Sequence, residues 1–132
     1  MASFRGSAAL MTWSRFHRGR QGENAAAEYL TSSGIKIVDR NFRCPLGEID
    51  LIAKDGKTIV FVEVRAFQAD GLCSPEESIT AAKRRHLTRA ALWYLKQKGL
   101  QNSHARFDVV AIRWNGETPE INWIVNAFEP GS

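Results

Sequence analysis

The sequence predicts an α/β domain in which a mixed five-stranded sheet is flanked by helices. Three observations predict it. Two segments are typical of helices, five segments have the β-branched and alternating character of strands, and a helix separates the first three strands from the last two. Each group of strands contains a turn dipeptide, Asp55-Gly56 in the first and Asn115-Gly116 in the second. A two-layer and a three-layer arrangement both fit this order.

Sequence signals bound both predicted helices. The segment 18–34 is rich in alanine and ends at Gly34. The segment 74–99 starts with the candidate N-cap Ser74, which opens an S-x-x-E capping box, and it stops at Gly99. A loop is predicted between the two groups of strands. The predicted strands are 35–42, 47–54, 57–65, 105–114 and 120–128, and the loop is 66–73.

Length and composition favour one cytoplasmic domain. The chain has 132 residues, of which 1–17 are predicted to form a flexible basic arm and 18–132 a single domain. No apolar run approaches the roughly 20 residues that span a bilayer, so no membrane partner is expected. The two cysteines cannot build a disulfide framework, and free thiols in a reducing cytosol are the default.

The positive charge of the chain is concentrated in two zones. Residues 1–22 contain four arginines and no acidic residue, and residues 78–107 contain seven basic and no acidic residues. Two basic zones on a small domain indicate a polyanionic partner, with nucleic acid as the first choice. A solvated surface that only keeps the protein soluble explains the same charges equally well.

Three carboxylates lie on the hairpin of the second and third strands. If Asp55-Gly56 is the two-residue turn, Lys54 faces Lys57, Asp50 faces Phe61 and Glu48 faces Glu63. Alternation then places the three acids on one face, with Asp50 diagonal to Glu63 and their Cβ atoms roughly 7 Å apart. The other face is the predicted core face and carries Ile49, Leu51, Ala53, Thr58, Val60, Val62 and Val64.

This spacing allows two carboxylates to share one divalent cation, because magnesium accepts oxygen ligands at about 2.0–2.1 Å. A cation would also neutralise Glu48 and Glu63, which as directly opposed like charges would destabilise the hairpin. The charge of Arg65, or a raised carboxyl pKa, would relieve this repulsion equally well. A strand face that merely presents polar side chains to water remains an open alternative.

Five blocks of the chain resemble, in the same order, those of the YraN-like family of bacterial proteins. They are "GRQGENAAAEYL", "NFRCPLGEIDLIA", "VFVEVR", "SPEESITAAKRRHLTRAALWYL" and "ARFDVVAI" and cover about residues 18–112. That family is similar to the restriction-endonuclease-like superfamily, which includes Holliday-junction resolvases and tRNA-endonuclease-like domains. The resemblance therefore implies a restriction-endonuclease-like core and a phosphodiester-cleaving endonuclease that acts on structured or branched DNA.

The resemblance also implies a catalytic set. Asp50 matches the first strand acid, Glu63 matches the acid of the D/E-x-K motif, and Glu23 matches a helical glutamate. These three would hold Mg²⁺ or Mn²⁺. Arg65 occupies the lysine position of the motif, where an arginine keeps the charge but stays protonated. Lys83, from the basic helix, is a candidate for the displaced lysine.

The partner that the resemblance implies is nucleic acid, with DNA favoured over RNA. Resolvase-like relatives tend to dimerise, so a homodimer also fits. The alternative is a catalytically weak or inactive nuclease-fold module that binds nucleic acid or a protein partner. The residues predicted to contact nucleic acid are Lys83, Arg84, Arg85, Arg89, Arg18 and Arg20.

Overall fold

A computed structural model describes residues 7–68 and 79–130 of the chain, and the side chains of residues 20–66 and 79–130. The elements follow the predicted order of one helix, three strands, one helix and two strands. Their bounds are α1 Ser7–Ser32, β1 Lys36–Cys44, β2 Gly47–Asp55, β3 Thr58–Gln68, α2 Ala81–Gln97, β4 Ala105–Asn115 and β5 Thr118–Phe128.

The sheet has five strands in the order in which they occur along the chain. Three neighbouring pairs are antiparallel, whereas β3 and β4 are parallel. Since parallel strands require a crossover connection, α2 lies between them in the sequence. The predicted mixed five-stranded sheet flanked by helices is therefore confirmed.

Each face of the sheet carries its own hydrophobic cluster. Ala26 and Leu30 of α1 pack with Leu51, Val62 and other residues on one face. On the other face, α2 supplies Leu87, Ala90, Ala91, Tyr94 and Leu95, which pack with Ile52, Ile59 and Phe61 among others. The domain thus has three layers. Near its turn, the hairpin face that carries the acids is also buried in a hydrophobic cluster, like the predicted core face. Ile49 was expected with Leu51 but packs in the α2 cluster.

Three predicted boundaries differ from the structure. The first helix begins at Ser7, within the segment predicted as an arm, of which residues 1–6 lie outside the described residues. The second helix begins after Thr80, whose hydroxyl accepts a hydrogen bond from the Lys83 N–H, whereas the predicted capping box at 74–77 lies outside the described residues. Strand β3 continues to Gln68, into the predicted loop.

The turn between β1 and β2 approaches α2 closely. Gly47 has a φ of 152°, and a Cβ atom there would lie 3.3 Å from the backbone oxygen of His86. Neither the backbone conformation nor the space suits a side chain. The hairpin that leads into the acids of β2 is therefore anchored on α2.

Gly47→Ala is expected to lower the free energy of unfolding by about 2 kcal/mol, because it adds a clash with the backbone to the cost of the positive φ. Gly56→Ala is the matched control. Its φ is 62° and nothing lies within 4 Å of its added Cβ, so only the cost of about 1 kcal/mol for the conformation is expected. Urea unfolding measures both. Equal losses for the two variants would contradict the close packing at Gly47.

Candidate metal and nuclease site

Asp50 lies where β2 and β3 separate. Their ladder runs from Asp55 opposite Thr58 to Leu51 opposite Val62. At the next position, the side-chain Oδ2 of Asp50 accepts a hydrogen bond of 2.8 Å from the backbone N–H of Val64. A carboxylate thus takes the place of a ladder carbonyl, and this contact fixes the side chain beside β3.

Glu63 lies in β3 between two other strands and is only 5% exposed. Its carboxyl group lies in hydrogen-bonding contact with that of Asp50, and this contact raises the pKa of Glu63 and lowers the pKa of Asp50. Burial, and then the charge of Asp50, raise the pKa of Glu63 to about 7. Burial also raises the pKa of Asp50, although the Val64 N–H and the Glu63 carboxyl favour its ionised form. The contact between the two carboxyl groups therefore favours the proton on Glu63 and the charge on Asp50.

Two cations lie against this pair. Arg65 Nη1 is 3.6 Å and Lys83 Nζ is 3.7 Å from the same Oε2 oxygen of Glu63. Both lower the pKa of Glu63, and Lys83 also lowers that of Asp50. Lys83 is the third residue after the N-cap of α2, so the start of this helix directs an ammonium group at the carboxylates. The structure thus places the predicted candidate Lys83 beside Glu63.

Glu23 of α1 contributes a third, more exposed carboxylate. Burial and then the charge of Asp50 raise its pKa, and a hydrogen bond donated by the Asn41 side chain opposes that shift. Within residues 7–68 and 79–130, however, no three Asp, Glu, His or Cys side chains are close enough together to hold one ion. Glu23 is therefore near the pair electrostatically but does not join it as a third direct ligand.

Asn41 is a residue of this site that the sequence did not single out. It has a φ of 54° within β1, a conformation rare for residues other than glycine but more accessible to asparagine. Beside it, Arg40 Nη2 donates a hydrogen bond of 2.6 Å to Asn24 Oδ1, one residue after Glu23 in α1. Arg40 and Asn41 of β1 thus contact neighbouring residues of α1 and position Glu23 near the acids of the strands. An asparagine inside a predicted strand was the only available signal.

The predicted hairpin register is wrong by two residues. Leu51 rather than Ile49 faces Val62, Ile52 rather than Asp50 faces Phe61, and Asp55 faces Thr58 across a Gly56-Lys57 turn. Because the shift is even, the alternation of faces near the turn is preserved. Asp50 lies one position beyond the end of this ladder, and its side chain contacts that of Glu63. Glu48 is not opposite Glu63 but extends outward to Arg43, at 3.5 Å.

The donor set fits a hard divalent cation. Half-buried Asp50 and buried Glu63 supply carboxylate oxygens, the ligands that Mg²⁺ and Mn²⁺ prefer. A cation between the two carboxylates would offset their mutual repulsion. Two direct protein ligands are sufficient for magnesium, which commonly keeps several waters.

The residues predicted to contact nucleic acid differ in exposure. Arg85 and Arg89 of α2 and Arg20 of α1 are exposed. Arg84 is half-buried, and its Nη1 donates a hydrogen bond of 2.7 Å to the backbone oxygen of Ile79. The side chain of Arg18 lies outside the described residues.

Asp108 is a second buried carboxylate, and it is bonded to several neighbouring residues. Its oxygens accept hydrogen bonds from the Arg106 guanidinium, from Trp123 Nε1 at 2.9 Å and from the Asn126 N–H at 2.9 Å. Arg106 in turn bonds Asp55 at 3.0 Å. This network fixes the irregular part of the β4–β5 pairing, next to Asp108.

Comparison with known proteins identifies relatives over most of the chain. Residues 22–112 match the model of the uncharacterised protein family UPF0102, which is the YraN-like family. A UPF0102 protein of Desulfosudis oleivorans is 51% identical over 84% of this chain and 89% of its own length. One from Syntrophotalea carbinolica is 42% identical over 90% of this chain and 97% of its own length. The matched region contains Glu23, Asp50, Glu63 and Lys83. No helix in the described part of the chain is long and apolar enough to cross a membrane.

Proposed function

The chain belongs to the uncharacterised protein family UPF0102, and on that basis we propose that it is a Mg²⁺-dependent endonuclease that cleaves phosphodiester bonds of structured or branched DNA. One observation carries the proposal. Half-buried Asp50 and buried Glu63 bring two interacting carboxyl groups together from neighbouring strands, and the ammonium of Lys83 and the guanidinium of Arg65 lie beside Glu63. Carboxyl groups whose pKa is raised by burial beside specific charged partners are typical of functional sites.

Each side chain has a role that follows from its surroundings. Asp50 and Glu63 would hold Mg²⁺ directly, and Glu23 would orient a water in its outer shell. When bound, the cation would neutralise charge on the phosphate and lower the pKa of a water. Lys83 and Arg65 would stabilise the charge that develops on the phosphate oxygens. Arg65, which stays protonated, suits this task better than proton transfer.

A catalytically weak module that only binds nucleic acid is the second candidate. Two observations favour it: Arg65 stands where the motif has lysine, and the described residues do not bring three acidic ligands together. In this case the basic residues of α2 would bind the backbone and the acidic pair would be a remnant.

A cleavage assay separates the two candidates. Purified protein is incubated with branched, single-stranded and duplex DNA and with RNA, in Mg²⁺, in Mn²⁺ and in EDTA. If the protein is a nuclease, we expect it to cut branched DNA in Mg²⁺ or Mn²⁺ and not in EDTA. Salt-sensitive binding without cuts in either metal would favour the binding module, and neither binding nor cleavage of any substrate would overturn both candidates.

Lys83→Ala separates a role in cleavage from a role in metal binding. Because Lys83 faces both carboxylates as a positive charge, we expect cleavage to fall about tenfold while Mn²⁺ affinity is unchanged or rises. Calorimetry measures the affinity and the cleavage assay the rate. Lys57→Ala, which removes an exposed lysine at the hairpin turn, is the matched control. Cleavage at the wild-type rate by the Lys83 variant would exclude Lys83 from the chemistry.

A further inference from the structure

The outer face of α2 is formed by Arg85, Arg89, Leu92, Trp93 and Lys96, and it is exposed among the residues that the structure describes. The core uses the opposite side of the helix, through Leu87, Ala90, Ala91, Tyr94 and Leu95. Leu92 is 60% and Trp93 38% exposed. Large apolar side chains left outside a core and surrounded by polar groups mark a binding surface.

The charge of this face selects the kind of partner. Residues 81–97 contain no acidic residue, and within the part of the chain that the structure describes, neither Arg85 nor Arg89 forms an ion pair with a carboxylate. A second copy of the chain docked through the same face would bring like charges together. A polyanion would be attracted to it.

The geometry of the face favours an unpaired strand over a duplex. Arg89 and Trp93 are four residues apart on a helix, so their Cβ atoms are about 5–6 Å apart. An exposed indole beside a guanidinium is a stacking platform for an unpaired base, with the cation available for the adjacent phosphate. In a duplex the bases stack on one another and offer no face to the indole.

We propose that the outer face of α2 binds single-stranded nucleic acid, with one base stacked on Trp93 and the backbone held by Arg85, Arg89 and Lys96. The inference rests on the proposed function, since α2 also carries Lys83 into the acidic pair two residues before Arg85. The inference also specifies the substrate. An unpaired strand would pass the acidic pair near the start of α2 and then follow the outer face of this helix.

Binding of fluorescein-labelled DNA, followed by anisotropy in EDTA, tests the inference without cleavage. For Trp93→Ala we expect at least about fivefold weaker binding of a single-stranded oligonucleotide and less than twofold weaker binding of the matched duplex. Trp93→Phe should retain most of the affinity, and Arg89→Ala should weaken both ligands. Tyr29→Ala is the matched control, since it removes an aromatic side chain of similar exposure, 39%, from α1.

Three results would overturn the inference: wild-type affinity of Trp93→Ala for the single strand, an equal loss for single strand and duplex, or a dimer in sedimentation that Trp93→Ala dissociates. The cleavage assay keeps the two proposals apart. Metal-dependent cleavage with no effect of Trp93→Ala on single-strand binding would remove this inference alone. Trp93-dependent binding without cleavage would remove the nuclease proposal and leave the binding face standing.

Discussion

Asp50→Asn is expected to reduce metal-dependent cleavage by at least about 100-fold. Asp50 would supply a charged oxygen to the cation. Replacing even an outer-shell partner of a metal site typically lowers metal affinity or activity 10–100-fold. The fold should survive, because an asparagine oxygen can still accept the hydrogen bond from the Val64 N–H. The variant should also bind Mn²⁺ more weakly, which distinguishes it from Lys83→Ala.

Asp55→Asn is the matched control for this substitution. It makes the same chemical change on the same strand, at an exposed residue that bonds Arg106 away from the acidic pair. We expect its cleavage rate to stay within about twofold of wild type. Cleavage by Asp50→Asn at the rate of this control would contradict the assignment of Asp50.

The second large effect is a pH dependence of stability that comes from Glu63. Its pKa in the folded protein is raised to about 7 from 4.5, so the folded state binds the proton more tightly than the unfolded state. The resulting stabilisation is fully present below about pH 4.5 and is lost as the pH rises through about 7. The shift corresponds to a free energy of unfolding of about 3 kcal/mol.

Glu63→Gln tests this dependence in EDTA. Glutamine can keep the hydrogen bond to Asp50 but cannot ionise, so the variant should gain up to about 3 kcal/mol over wild type between pH 5 and pH 8. Added Mg²⁺ should stabilise wild type more at pH 8 than at pH 5, because the cation competes with the proton. Glu117→Gln, which removes a carboxylate from the exposed β4–β5 turn, is the control. If the free energies of unfolding of Glu63→Gln and wild type changed with pH in parallel, this would contradict the raised pKa of Glu63.

The elements and their order were predictable because their signals are local. Val60 and Val62 lie on one buried face of β3 and Ile59 and Phe61 on the other, and Gly34 and Gly99 end the two helices with positive φ. Local patterns also placed Asp50 and Glu63 on neighbouring strands. They could not decide between a turn at Asp55-Gly56 and one at Gly56-Lys57, since both leave a glycine available for positive φ.

The rest of the site depends on tertiary contacts that no short segment encodes. The separation of β2 from β3 at Asp50, the left-handed Asn41 beside Glu23, and the approach of Lys83 to Glu63 each require three layers to be in place. The predicted helix start at Ser74 lies outside the described residues, and the cap of α2 at Thr80 was not predicted because Ser and Thr are both suited to that position. Exposure of Trp93 likewise depends on which side of α2 meets the sheet.

A crystal structure of the protein soaked in Mn²⁺ shows directly whether Asp50 and Glu63 hold a divalent cation. We expect an anomalous density peak between their carboxylates, with metal–oxygen distances of about 2.1–2.2 Å. The same soak of Asp50→Asn crystals should lack it. Manganese bound elsewhere, or no density between these carboxylates in wild-type crystals at pH 8, would contradict a metal-dependent site in this domain.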